Sequence, residues 1–360
     1  MRILLSGGGT WGSVTALLAL VDELRQANGN EEFLWVGTKG GSERLLVENW
    51  QVPFRSIFSG KLRRYFSWWN FIDPLFILIG FFQSIFILKK FKPDRVLTAG
   101  SFVAVPVVLA SRLLKIPVLV HQQDLSWGLA NRIMRPFAAW LTVNLEPSFK
   151  NLSRCLRKKA HLTGNPTRQQ IKALLDNSKD RELILKKFSL ESGVPVVLVL
   201  GGGTGAMRLN EIVAEAMPRL YAFCQVLHLT GKEKKINPPV GEWNSRYHWQ
   251  ESVFDMSDAY NVADLVISRA GLGTLTELAV LGKVSLIVPI PGTHQEENAK
   301  YFVDRKAVIV LNQNELTTDL LSQTVKNALF NQEDREVLAA NIGKIANLEA
   351  GKEIVDLIKK

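Results

Sequence analysis

The sequence has little cysteine. Cys155 and Cys224 are the only two in 360 residues, far apart and in no motif. That excludes a disulfide framework and points to a reducing compartment. Histidine is sparse as well. The five are scattered, with neither HExxH spacing nor paired cysteines, so no metal site is expected. There is no Gly-x-Ser-x-Gly elbow, and no Gly-Lys-Ser/Thr follows the glycine-rich loops. A hydrolase built on a serine elbow and a Walker-type nucleotidase are therefore set aside. Long apolar runs are missing too. Ile3-Leu4-Leu5 passes into glycines where a signal sequence would continue. Leu75 to Leu88, LFILIGFFQSIFIL, is 14 residues long and broken by Gln83. A helical span needs ~20 apolar residues, so this run reads as too short to cross a bilayer. Low-complexity tracts and short repeats are absent from the sequence.

What is present is a long alternation. Apolar strand-like runs such as Ile3–Leu5, Phe33–Val36, Val118–Val120, Val196–Leu200, Val226–Leu229 and Leu265–Ile267 alternate with amphipathic stretches such as Thr15–Gln26 and Leu209–Leu220. That order predicts a parallel sheet with crossover helices, an α/β protein. A chain of 360 residues exceeds the usual single core, so two domains are expected. The strand, glycine-rich loop and helix start recurs at Ser6–Gly12 and Leu200–Ala206, which predicts two doubly wound Rossmann-like domains. The breaker Gly164-Asn165-Pro166 suggests the boundary. The expected division is 1–163, 164–345 and a last helical segment, 346–360, that could return to the first domain. The net charge of +10 favours an anionic partner. Nucleic acid is the weaker version of that idea, since no recognition motif accompanies the charge.

Three loops carry the chemistry. SRAGLGTLTELA, Ser268 to Ala279, sits between two apolar runs, and Thr274 and Glu277 fall three apart on one helical face. Such a loop holds a ribose and its phosphates at a helix N-terminus. Glu277 is suited to the ribose hydroxyls, although an exposed helix carboxylate is the commoner state of a Glu. Gly201 to Ala206 places four glycines in five positions after a strand, where backbone approaches a pyrophosphate. Gly7 to Ser13 is the same device in the first half; taken alone, a tight turn without ligand explains it nearly as well. His121-Gln122-Gln123-Asp124 ends another strand, and His121 and Asp124 are candidates for proton transfer. A polar loop bonded to its own backbone is the alternative.

Aromatic and basic residues crowd around the apolar run. Lys61, Arg63 and Arg64 precede Tyr65, Phe66, Trp68 and Trp69, and Lys89, Lys90 and Lys92 follow. That mixture suits a segment lying in a membrane interface. Trp68, Trp69, Phe76, Phe81, Phe82, Lys89 and Lys90 are the expected docking residues. A buried helix with a solvated basic cap is the competing reading.

Together these segments resemble the MurG family of GT-B glycosyltransferases, glycosyltransferase family 28, over nearly the whole chain. The family pattern GGTGGH is similar to Gly8-Gly9-Thr10-Trp11-Gly12-Ser13, and GGYVS-P to Gly100–Ala104 with Pro106. HEQN is similar to His121–Asp124, with Gly128 and Asn131 following, GNPVR to Gly164–Arg168, and GGSQGA to Gly201–Ala206. The donor segment matches at Asp255-Met256, Tyr260, Ala263-Asp264, Ser268–Gly271, Thr274 and Glu277, then at His294-Gln295 and Asn298-Ala299. The resemblance implies two doubly wound domains with an interdomain cleft. It implies transfer of N-acetylglucosamine from UDP-N-acetylglucosamine to a lipid-linked muramyl-peptide, without a cofactor, at the cytoplasmic face of the cell membrane. Donor contacts would be Thr10, Trp11, Gly12, Asp124, Arg168, Gly202, Gly203, Thr204, Gly205, Val253, Leu272, Gly273, Thr274, Glu277, Gln295 and Asn298. Gly9 and Asn131 would lie on the acceptor side.

The chain departs from the family pattern mainly in its first half. Trp11 stands for a glycine, Ser13 for a histidine, Gln122 for a glutamate and Asp124 for an asparagine. Ser13 has no useful basicity near neutral pH, which leaves Asp124 as the replacement carboxylate. Transfer to a different lipid or polysaccharide acceptor, and a donor-binding protein without turnover, are the rival expectations.

Overall fold

Valine, isoleucine and leucine runs ending in glycine form strands buried on both faces, as parallel sheets require. The computed structural model describes every residue except 10, 28, 42, 61–68, 177–179, 202–205, 232–233, 235–240 and 254, and no side chain at 69–72. The chain divides into two units, Met1–Arg168 with Asn347–Lys360, and Gln169–Ala346.

The first unit holds seven strands: β1 (Arg2–Ser6), β2 (Glu32–Thr38), β3 (Phe54–Ile57), β4 (Arg95–Thr98), β5 (Val118–Gln122), β6 (Trp140–Val143) and β7 (Ala160–Leu162). Their spatial order is β3-β2-β1-β4-β5-β6-β7, and every pairing is parallel. The second unit holds β8 (Val196–Leu200), β9 (Gln225–Leu229), β10 (Tyr247–Gln250), β11 (Leu265–Ser268), β12 (Ser285–Ile287) and β13 (Ile309–Val310), in the order β10-β9-β8-β11-β12-β13. Both sheets reverse direction beside their first strand, between β1 and β4 and between β8 and β11. Ligands of doubly wound sheets bind outside the strand C-termini at that switch point. The glycine-rich loops after β1 and β8, and SRAGLG after β11, all leave strands at these two places.

The division falls at 168/169 rather than at 163/164. Gly164 N donates to Val143 O at 3.3 Å, extending the edge of the first sheet, and Asn165 bonds to His121 on β5. The GNP turn thus belongs to the first unit. The final helix, Ala350–Lys359, buries Ile354, Val355 and Ile358 in the first unit's core, beside α1 (Trp11–Ala27). Arg95 Nε donates to Ile358 O at 3.0 Å.

The apolar run is longer as a helix than as a pattern. After α2 (Glu43–Asn49), α3 spans Trp69–Phe91, 23 residues, and its Asp73–Phe91 segment is long and apolar enough to cross a membrane. The expectation that the run is too short is corrected: flanking residues from Trp69 onward join the helix, with Pro74 accommodated inside it. One face, Gly80, Ser84 and Leu88, is buried, and the helix packs on α4 (Ala104–Leu113). A side chain at Gly80 would collide with Phe58 O. Gln83, the polar interruption, accepts from Phe58 N at 2.8 Å and so ties the helix to the end of β3. Leu75, Leu78, Ile79, Phe82 and Phe86 form the opposite, exposed stripe, with Phe86 70% exposed.

Candidate active site

Thr10, Gly202, Gly203, Thr204, Gly205 and Trp68 lie outside the described residues, and Trp69 contributes backbone only. Gly9, Trp11, Gly12 and Leu272–Glu277 fall at the two switch points, whereas Arg168, Val253, Gln295, Asn298 and His121–Asp124 lie on or after other strands.

In the second unit, the helix Leu272–Val280 starts at Gly271, and no side chain caps it. Its first-turn amides therefore keep their donors for a ligand. Gly273 and Thr274 are half-buried at this end. Glu277 is 8% exposed, and its Oε2 accepts from the Tyr260 hydroxyl at 3.0 Å. The exposed helix carboxylate weighed from sequence is not what forms. Asn298 is fully buried, and its Nδ2 donates to Ala270 O at 3.1 Å, which braces the SRAG loop from within. Gln295 is half-buried, with Oε1 accepting from Ile290 N at 3.2 Å. Leu272 is buried, whereas Val253 is half-buried. Beside Gly201, Asn210 joins His228 Nε2 at 3.1 Å and Thr230 O at 2.9 Å, and His228 Nδ1 meets the Tyr247 hydroxyl at 2.8 Å. Burial pushes His228 down to about 3, so it sits there neutral.

In the first unit, His121 is a brace rather than a base. It is fully buried, with Nδ1 2.9 Å from Thr142 Oγ1 and Nε2 2.9 Å from Asn165 Oδ1. The Asn165 oxygen accepts, so Nε2 carries the proton and Nδ1 accepts from the Thr142 hydroxyl. Burial lowers its pKa to about 4, against a smaller opposing effect from Asn165. Neither nitrogen is left to take a substrate proton. Gln122 uses its amide where a carboxylate could not: Nε2 donates to Asp124 O at 2.7 Å and Ser126 O at 3.0 Å, while Oε1 accepts from Asn131 at 2.7 Å. Those bonds fold the loop that carries Asp124, which is partly exposed. Ser13 is 6% exposed on α1, and Arg168 is 7% exposed.

Gly9 and Asn131 are brought into one neighbourhood. The Phe102 ring lies against Gly9, and Asn131 Oδ1, buried and unpartnered, lies against Gly100. Between them Ser101 holds φ +97°, a strained value for a residue with a side chain, and its buried hydroxyl also has no partner.

Residues that the sequence did not assign to the site complete it. Trp35 Nε1 donates to Gly7 O at 3.0 Å, and Gln123 Nε2 donates to Gly12 O at 3.0 Å and to Asn165 Oδ1 at 3.2 Å. Glu43 Oε2 accepts from Gly9 N at 3.4 Å. Gln123 stood inside a recognised motif; Trp35 and Glu43 read as ordinary strand and helix residues. No cluster of three His, Cys, Asp or Glu suited to a metal occurs among the described residues.

Two doubly wound units, each with a glycine-rich loop at its switch point, make a GT-B fold, and the family match makes it that of a glycosyltransferase. Residues 3–142 match the glycosyltransferase family 28 N-terminal domain and 196–358 the C-terminal domain. The chain belongs to glycosyltransferase family 28. It is 36% identical to the UDP-N-acetylglucosamine–N-acetylmuramyl-(pentapeptide) pyrophosphoryl-undecaprenol N-acetylglucosamine transferase of Legionella pneumophila strain Paris, over 99% of this chain and 96% of that one. It is 37% identical to the Lachnospira eligens enzyme of the same name, over 99% and 98%. Among solved structures, Acinetobacter baumannii MurG superposes with TM-score 0.70 at 27% identity, over 99% of both chains. A UDP-GlcNAc 2-epimerase from Neisseria meningitidis, bound to UDP-GlcNAc, superposes with TM-score 0.72 at 18% identity over 100% of both, a likeness of fold.

Proposed function

We propose that the chain transfers N-acetylglucosamine from UDP-N-acetylglucosamine to a lipid-linked muramyl-peptide, the reaction for which its relatives are named. The observation that carries the donor half is the uncapped helix Leu272–Val280 with the buried Tyr260–Glu277 pair beside its start. Glu277 takes the ribose hydroxyls. The amides at the start of this helix and of Gly202–Gly205 take the diphosphate, whose charge grows as it leaves.

The acceptor lies with the first unit. Its hydroxyl oxygen attacks the anomeric carbon, the bond from that carbon to the UDP oxygen breaks, and configuration inverts in one displacement. Asp124 takes the hydroxyl proton. In the cluster around the loops after β1 and β5, His121 has both nitrogens engaged and Glu43 is sealed below the loop, so Asp124 is the carboxylate with exposure to solvent.

The lipid end is served by α3. This helix carries Leu75, Leu78, Ile79, Phe82 and Phe86 on its exposed face while its buried face includes Asp73, Gly80 and Ser84, the pattern of a helix whose outer face meets lipid. Its place between β3 and β4 of one sheet and its packing on α4 support a position along the interface rather than across it. Lys89 and Lys90, both exposed, supply charge for anionic headgroups. UDP release measured against a panel of lipid-linked acceptors tests the reading: stimulation by a muramyl-peptide carrier supports it, stimulation by another carrier alone redirects it, and donor binding without turnover removes it.

A further inference from the structure

The first glycine-rich loop is pinned from below by a carboxylate that no Lys or Arg among the described residues pairs with. Glu43, the first residue of α2, is 1% exposed. Its carboxylate accepts from Thr38 N at 2.8 Å, from the Thr38 hydroxyl, and from Gly9 N at 3.4 Å. Among the described residues no Lys or Arg pairs with it. The nearest lysine in the chain, Lys39, points its ammonium over the Phe58 ring instead, at 5.2 Å. Side chains at Gly8 or Gly41 would collide with the carboxylate, so the loop and the turn before α2 both need glycine to close over it.

A buried acid without a cation is costly unless its hydrogen bonds are needed. What it does that an amide cannot is accept three bonds while offering no donor. The donors it collects come from two places that must stay in register: the end of β2 and the loop leaving β1. Trp35 on Gly7 O and Gln123 on Gly12 O hold the loop at its two ends, and Glu43 holds its middle.

We propose that Glu43 is a positioning residue for acceptor use: it fixes the Gly8–Gly9 backbone so that the loop presents one conformation to the acceptor. This rests on the reading that the first unit takes the acceptor. Glu43→Gln keeps the volume but brings an NH2 group against amide donors. The expected result is a fall of about tenfold or more in acceptor-dependent kcat/KM, the equivalent of one charge-assisted bond, with a much smaller change in donor affinity. Thr38→Val removes one donor to the same carboxylate without burying a new polar group, and is expected to give a smaller loss of the same kind, so the test survives if Glu43→Gln does not fold. Hydrogen exchange of the 7–12 segment is read in parallel without any substrate. Faster exchange there in the variants, with the second unit unchanged, supports the positioning role even if the acceptor assignment fails. Unchanged exchange and unchanged acceptor kinetics overturn it, as does an equal loss of donor affinity.

Discussion

The hydroxyl of Tyr260 donates to Glu277 Oε2 at 3.0 Å, across two helices whose starts flank β11 and its loop. Both side chains are buried, 1% and 8% exposed. The bond sets the plane of the carboxylate before any ribose arrives. Glu277→Ala is expected to raise donor KM by about 10- to 100-fold, the worth of hydrogen bonds to a charged group. Tyr260→Phe should raise it only a few-fold, since the carboxylate remains but loses its orientation. Steady-state UDP release at varied donor, with acceptor KM unmoved, checks both.

Asp124→Asn removes the proposed proton acceptor while keeping the loop's size. The expected drop in kcat is about 10²- to 10⁴-fold, the usual contribution of a general base, with donor dissociation constant unchanged by calorimetry. Ser13→Ala should cost little, because a buried hydroxyl with no basicity has no proton to take. A severe loss in Ser13→Ala with Asp124→Asn active would reverse the assignment.

Acid should destabilise the protein before most carboxylates protonate. His121 and His228 are neutral in the folded chain, with pKa values lowered by burial to about 4 and about 3 from 6.5. Below pH 6.5 the unfolded chain binds these protons first. Stability is therefore fully present above about 6.5 and falls as pH drops toward the folded values. The urea midpoint should fall between pH 6.5 and about 5, where carboxylates barely titrate. A midpoint flat across that window would contradict the buried, neutral assignment.

Phe82→Asp with Phe86→Asp places charge on the exposed stripe of α3 without touching its packed face. Binding to vesicles containing anionic lipid should fall by at least tenfold, since two large apolar side chains lose their burial in lipid. Turnover of a soluble short-chain acceptor should stay near that of the parent chain. Co-sedimentation and a soluble assay separate the two effects.

The loops and sheets were legible because their signals are local. Ser6–Gly12 and Leu200–Ala206 each put a strand, glycines and a helix within a dozen residues, and those are the switch points of the two sheets. The bracing groups were not legible, because their partners are distant in sequence. Glu43 reaches back 34 residues to Gly9, Trp35 reaches 28 to Gly7, and Gln123 reaches 111 to Gly12. No periodicity records such pairings. His121 misled for the opposite reason: its motif marked an important residue, while only burial shows that its nitrogens are occupied. The bond from Asn298 to Ala270 O, 28 residues back, had no sequence signal either.

The helix Ala350–Lys359 closes the core of a unit that begins at Met1, with the whole of Gln169–Ala346 threaded between. The first unit's core therefore lacks a wall until residues beyond 346 are in place. Until that wall arrives, the α1 surface that receives Ile354, Val355 and Ile358 stays open to solvent, chaperones or neighbouring chains. The second unit, one continuous stretch of chain, has no such dependence on a distant segment.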